Sequence, residues 1–253
     1  MTTDKPAATP WSVVWITGAS TGIGRELALR LARDGARVAI SARSADKLTE
    51  VAALSSNIRA FPCDVTVPAA VAKTLESIEA DLGALDLAVL NAGVWHPMGG
   101  ADYDLAKATE SMTVNYFGVI NALAPVMKGM AARGAGQIAI IASVAGYRGL
   151  PKAAAYGPTK AALINLAETL YPEMRAKGVK ITIVNPGFVE SPMTAINDFP
   201  MPFIVTSEDA AARIHTGLIR DKFEVVFPRR MAILMKLLRI IRYKQFFRIA
   251  GRL

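Results

Sequence analysis

Thr17-Gly18-Ala19-Ser20-Thr21-Gly22-Ile23-Gly24 constrains this chain more than any other stretch. It follows the apolar run Ser12-Val13-Val14-Trp15-Ile16 and precedes a helical pattern from Arg25 to Asp34. A short apolar run bounded in this way predicts a parallel strand buried on both faces. Glycines between such a strand and a helix let backbone N–H groups approach a pyrophosphate at the positive end of the helix. The spacing is Gly-x-x-x-Gly-x-Gly rather than the usual Gly-x-Gly-x-x-Gly, and an ordinary tight turn is the competing reading.

The rest of the chain repeats the strand–helix alternation. Apolar runs at 37–41, 57–62, 85–90, 136–142, 180–184 and 223–227 predict further strands. Helical periodicity covers 67–82, 105–133, 153–177 and 207–220 between them. Pro125 is expected to kink or divide the second of these helices, and Ser207 to cap the last. With 253 residues, half of them apolar, the pattern predicts an α/β fold, a single open sheet with helices on both faces. The expected organisation is a flexible N-terminus at 1–10, a dinucleotide-binding catalytic domain at 11–227 and a basic, apolar extension at 228–253.

Several function classes lose support. One cysteine, Cys63, allows no intrachain disulfide and suits a reducing compartment; it reads as a small buried filler. His96 and His215 are the only histidines, and no cluster has metal-ligand spacing, so no metal is expected. Met1 to Pro10 has no apolar core of a signal peptide, and no apolar stretch approaches the ~20 residues of a spanning helix. These features point to a cytoplasmic protein, with association at a membrane surface left open.

Three further positions bear on a nucleotide. In a site for NAD an acid at the end of the second strand would bond the ribose. Here the strand ends Ser41-Ala42-Arg43, and the first carboxylate is Asp46 in the next helix. Arg43 suits a 2′-phosphate, which points to NADP(H) over NAD(H), although a solvated loop arginine would look the same. Asp64, in Cys63-Asp64-Val65, is placed to accept from an adenine amino group, and Gly93, in Asn91-Ala92-Gly93, permits close approach of backbone and cofactor.

Tyr156 and Lys160 lie four residues apart on a predicted helix, hence one turn apart on one face. An ammonium beside a phenol is expected to lower the phenol pKa toward a range useful for proton transfer. Thirteen residues upstream, Ser143 ends the apolar run of the fifth strand.

Taken in order, Thr-Gly-x-x-x-Gly-x-Gly at 17–24, Asp64, Asn91-Ala92-Gly93, Asn115, Ser143, Tyr156-x-x-x-Lys160 and Pro186-Gly187 resemble the short-chain dehydrogenase/reductase family in its single-domain form. The resemblance runs from about Trp11 to Phe227. It implies a doubly wound, Rossmann-type sheet of about seven parallel strands and hydride transfer between a nicotinamide and a carbonyl or secondary alcohol. It implies Tyr156 as general acid, Lys160 lowering its pKa and bonding the ribose, Ser143 holding the substrate oxygen, and Asn115 holding a water that links Lys160 to solvent. It further implies a cofactor site of Gly18, Ser20, Thr21, Gly22, Ile23 and Gly24, then Arg43, Asp64 and Val65, then Asn91, Ala92 and Gly93. Tyr156, Lys160, Pro186, Gly187, Val189 and Ser191 complete it. Two departures stand out. Ser191 occupies the place of a family threonine, with Thr194 as an alternative hydroxyl. The chain also continues as Pro228-Arg229-Arg230 where ketoacyl reductases end in Asp-Gly-Gly. A homodimer or homotetramer is expected.

Residues 222–253 hold nine of the 29 basic residues and one of the 21 acids, so this segment carries the whole net charge of +8. Its cations interleave with Met, Leu, Ile and Phe. Three readings compete: packing on its own domain or a partner subunit, docking on a membrane surface, and nucleic-acid binding, which is not expected because a short basic helix without a DNA-binding fold is poor support. Met193, Phe199, Met201, Pro202, Phe203 and Ile204 in the 188–205 loop are expected to form the apolar inner face of a lid over a lipid-like, steroid-like or xenobiotic substrate. The rival functions on this fold are a nucleotide sensor without turnover, which should lack the Tyr or the Lys, and a membrane-peripheral scaffold.

Overall fold

A computed structural model describes residues 9–251. Most of the expected N-terminal segment 1–10, and the last two residues of the extension, lie outside the described residues. Seven strands form one sheet: β1 Val13–Thr17, β2 Arg37–Ser41, β3 Ile58–Ala60, β4 Leu87–Leu90, β5 Gly136–Ile141, β6 Val179–Pro186 and β7 Glu224–Phe227. Their spatial order is β3-β2-β1-β4-β5-β6-β7, and every pairing is parallel. Strand order reverses between β1 and β4, which opens a crevice at their carboxyl ends.

Alternation along the strands fixes the two layers. Val13 and Trp15 point into one core, with Ile138, Ile140, Ile181 and Ile183. Helices α3 Pro68–Leu82, α5 Gly118–Arg133 and α6 Tyr156–Arg175 cover that face. Val14 and Ile16 point into the other, with Val38, Ile40, Val89 and Phe227, under α1 Gly22–Arg33, α2 Ala45–Ala52 and α7 Ser207–Ile219. Both faces are therefore dry, which is why the strands read as unbroken apolar runs.

Two local expectations are corrected. The long helical stretch is interrupted at Asn115, not at Pro125: α4 Leu105–Met112 runs through a wide π turn at Thr113–Phe117 into α5, and Pro125 lies inside α5. Thr206, not Ser207, caps α7, its hydroxyl accepting from Asp209 N at 3.1 Å. The Ser207 hydroxyl instead donates to Glu190 O at 2.6 Å.

The chain beyond β7 forms α8 Arg229–Ile240 and α9 Tyr243–Ala250, with the break at Ile241 and Arg242. Met231, Met235, Leu238 and Phe246 are buried in the same core as α6. A polar cluster anchors α8 beneath: Glu224 accepts from Tyr147 Oη and from Lys236 Nζ, and Asn185 Nδ2 donates to Glu224 at 3.1 Å. The Arg148 guanidinium sits 4.4 Å and 4.5 Å from the Tyr243 and Phe246 ring centroids and fixes α9.

Candidate active site

Two adjoining cavities open at the carboxyl ends of the strands. The first, about 380 Å³, lies over β1, β2 and β4. Gly18 and Gly22 have φ of +66° and +56°, conformations side chains rarely adopt. A Cβ on Gly18 would sit 2.7 Å from Ala92 Cα, so the β1 turn and the β4 turn can close only on a glycine. Thr17 Oγ1 accepts from the N–H of Asn91 at 3.0 Å and of Ala92 at 3.1 Å, and Asn91 Nδ2 donates to Gly18 O at 2.9 Å. The Thr21 side chain does not cap α1, and no acid occupies its first turn. The first N–H groups of that helix are thus left for an anion.

Of the expected cofactor residues, all but Gly24 line this cavity. Gly24 is buried behind it, where a Cβ would meet Gly18 O at 2.5 Å; it lets α1 close on β1 rather than touching a ligand. Arg43 lies at the far end with Ser44 and Lys47, two residues the strand-end pattern did not single out. Lys47, in α2, is a second cation four residues on from Arg43, and helix position alone gave no sign of it. Asp64 accepts from Thr66 N at 2.9 Å and Thr66 Oγ1 at 2.7 Å, and these bonds hold its carboxyl below the usual range. Ser191 and Thr194 both line the cavity, but the Thr194 hydroxyl is committed to Val189 O at 2.7 Å.

Ser143 and Tyr156 line both cavities where they meet, and Lys160 lines the first. Tyr156 opens α6, Lys160 stands one turn further on, and Ser143 follows the end of β5. Lys160 Nζ donates to Ile141 O at 2.9 Å and lies 5.3 Å from the Tyr156 ring centroid. The electrostatics run against the expected shift. Burial pushes the Tyr156 phenol up to about 12, offset in part by the Ser143 hydroxyl, and burial lowers Lys160 to about 7. Desolvation penalises both charged forms at once, so the ammonium meant to acidify the phenol is itself weakened.

Asn115 is fully buried in the π turn. Its Oδ1 accepts from Val94 N at 2.7 Å, and its Nδ2 donates to Val94 O at 3.0 Å and Thr159 Oγ1 at 3.2 Å. The side chain braces the turn after β4 and does not line either cavity.

The second cavity, about 580 Å³, is mostly apolar. Trp95 packs edge-on against Tyr156 with centroids 5.0 Å apart, held by Trp95 Nε1 donating to Asn197 Oδ1 at 2.8 Å. From the 188–205 loop, Phe188, Met193, Phe199 and Pro202 face inward. Met201, Phe203 and Ile204 do not, contrary to expectation; Phe203 and Ile204 are solvent-exposed. Met231, Leu234, Met235 and Leu238 of α8 complete the wall. Neither Trp95 nor α8 belongs to a motif. His96 pairs with Glu110 at 3.0 Å outside the cavity.

The short chain dehydrogenase family model matches residues 12–198. An "uncharacterized oxidoreductase" of Myxococcus xanthus is 35% identical, with 94% of this chain and 96% of the relative covered. A "putative ketoacyl reductase" of Streptomyces coelicolor is 34% identical, with 72% of each covered. Among solved structures, a short-chain type dehydrogenase/reductase from Mycobacterium marinum superposes with a TM-score of 0.78 at 27% identity, covering 85% of this chain and 93% of the other. A 3-ketoacyl-(acyl-carrier-protein) reductase from Brucella melitensis complexed with NADH superposes with a TM-score of 0.77 at 25% identity, covering 85% and 94%.

Proposed function

This chain belongs to the short chain dehydrogenase family of oxidoreductases, which use NAD(P)(H) on small molecules, and from that premise we propose an NADP(H)-dependent reductase or dehydrogenase of apolar ketones, aldehydes or secondary alcohols. The observation that carries the reading is the placing of Ser143 and Tyr156 at the junction of a glycine-floored groove and an apolar cavity, with Lys160 on the groove side. The groove fits a dinucleotide: its floor leaves no room for a Cβ at Gly18, and the α1 terminus is uncapped. Residues 11–227 hold the groove and the proton-transfer groups, and the extension 228–253 supplies a wall of the substrate cavity.

A bound nicotinamide dinucleotide would supply or accept the hydride. The chain's own residues handle the oxygen. As a carbonyl is reduced its oxygen gains negative charge and needs a proton and a fixed hydrogen-bond donor. Tyr156 Oη gives the proton; burial keeps the phenol protonated at neutral pH, the form a reduction needs. Ser143 Oγ holds the same oxygen. Lys160, anchored on Ile141 O, supports the phenolate that results. Asn115 fixes the turn that carries Gly93 and Val94. Arg43 and Lys47 favour a 2′-phosphate, and Asp64 keeps one carboxylate oxygen for the adenine.

The test is a panel of apolar and small polar carbonyls and alcohols, followed by NADPH oxidation and NADP⁺ reduction. Turnover concentrated on apolar members is expected. Absence of turnover in either direction across the panel, alongside measurable NADPH binding, would favour the nucleotide-sensing alternative.

A further inference from the structure

The outer side of the C-terminal helices is apolar where it should be polar. In α8, Met231, Ala232, Met235 and Leu238 are buried. Ile233, Leu237 and Ile240 are 62%, 54% and 77% exposed. At about 100° per residue the two sets fall on opposite sides of the helix. Tyr243 and Phe247 of α9, stacked 5.7 Å apart, are also exposed. A surface helix normally turns charged residues outward and one stripe inward; α8 has an inward stripe already satisfied and a second one left over.

The charges around this second stripe are all of one sign. Arg229, Arg230, Lys236 and Arg239 lie on α8, Lys244 and Arg248 on α9 and Arg242 between them, and no acid follows Glu224. Lys236 pairs with Glu224 and Arg239 lies 4.0 Å from Glu168. Arg229, Arg230, Arg242, Lys244 and Arg248 have no acidic partner among the described residues.

We infer that the α8–α9 outer face is a docking surface for an anionic lipid bilayer, with Ile233, Leu237, Ile240 and Phe247 entering the headgroup boundary and the cations holding lipid phosphates. Charge complementarity selects the occupant. A second copy meeting this face symmetrically would set the cationic cluster against itself. A nucleic acid would answer the charge and leave four large apolar side chains in water. An anionic bilayer answers both. No helix among the described residues is long and apolar enough to cross a membrane, so the contact is parallel to the surface. The face also borders the substrate cavity: Leu234 lines that cavity and is 47% exposed, and Arg230 sits 5.9 Å from the exposed Phe203 ring of the covering loop.

The experiment is co-sedimentation of the full chain with vesicles of phosphatidylcholine alone or mixed with phosphatidylglycerol, at low and high salt. Its readout needs no turnover, so it can fail while the proposed reaction stands. The parent should pellet with the anionic vesicles at low salt and be released at least tenfold by high salt or by removing phosphatidylglycerol. The triple variant Ile233→Gln, Leu237→Gln, Ile240→Gln changes only exposed side chains outside the cavity; it should stay in the supernatant with its fold and cofactor binding unchanged. Arg242→Gln with Lys244→Gln and Arg248→Gln should weaken binding by tenfold or more, each near-surface cation counting for about fivefold. A parent that stays in the supernatant at low salt overturns the proposal. So does binding to anionic vesicles that matches binding to heparin and is untouched by the apolar triple variant. A dimer that this variant dissolves, without vesicle binding by the parent, overturns it as well.

Discussion

Lys160 Nζ stands 5.3 Å from the centre of the Tyr156 ring while donating to Ile141 O at 2.9 Å. The ammonium is thus held by the end of β5, beside the phenol but not on it. The two groups share one buried site, and burial moves their pKa values in opposite directions, Tyr156 up to about 12 and Lys160 down to about 7.

Replacing Tyr156 by Phe keeps the ring against Trp95 and removes the proton donor. Turnover should fall by ~10²–10⁴-fold, with NADPH affinity within about threefold of the parent. Steady-state rates and a cofactor titration by fluorescence check both halves. A rate near the parent's would take Tyr156 out of the mechanism.

The lowered Lys160 pKa makes a claim about stability. The unfolded chain keeps this proton up to its ordinary value of 10.5, whereas the folded chain keeps it only up to about 7. The unfolded state therefore binds more protons between these values, and stability rises with pH across that window. The cost of the buried charge is fully present below about pH 7. Lys160→Met removes the titrating group. Measured by urea unfolding without cofactor, its stability relative to the parent should be most favourable near pH 7 and decline toward pH 10. A difference that does not vary with pH would show that Lys160 does not titrate in this window.

Arg43→Ala should erase most of the preference for NADP(H) over NAD(H), and Lys47→Ala should reduce it further. A charge-assisted hydrogen bond contributes roughly 1.5–3 kcal/mol, or about 10- to 150-fold in affinity. Calorimetric titration of both cofactors against parent and variants gives the ratio directly. Equal affinities in the parent would refute the assignment of these cations to a 2′-phosphate.

Gly24→Ala should destabilise the protein by about 1–3 kcal/mol through overpacking, because the added Cβ would meet Gly18 O at 2.5 Å and Asn91 Nδ2 at 2.7 Å. Gly100→Ala, with nothing within 4 Å, is the control and should change little. Thermal unfolding of the two variants separates close packing from a generic loss of glycine.

Leu234→Trp adds bulk at the exposed edge of the apolar cavity without touching the core. It should raise KM for bulky carbonyls several-fold while leaving small ones nearly unchanged. An equal effect on both would place the substrate elsewhere.

Much of this protein was legible in its sequence, because periodicity and turn glycines act locally. A strand dry on both faces must be an unbroken apolar run, so β1, β2 and β4 were visible with nearly correct bounds. The glycines at 18, 22 and 24 announced a turn between strand and helix, and the Tyr156–Lys160 spacing announced one helical face. Other features depend on which distant segments meet. Trp95 became a wall of the site only when the turn after β4 met α6, and Lys47 joined Arg43 only when α2 packed beside β2. The inner face of the 188–205 loop reversed for Phe203 and Ile204 because irregular backbone has no period to read. The pKa expectation failed for the same reason: spacing fixes that a lysine neighbours a tyrosine, but desolvation belongs to everything packed around them. Composition likewise placed the whole net charge in the last segment. Only the tertiary structure decided that α8 buries one apolar stripe in the core and leaves the opposite one, with its cations, at the surface.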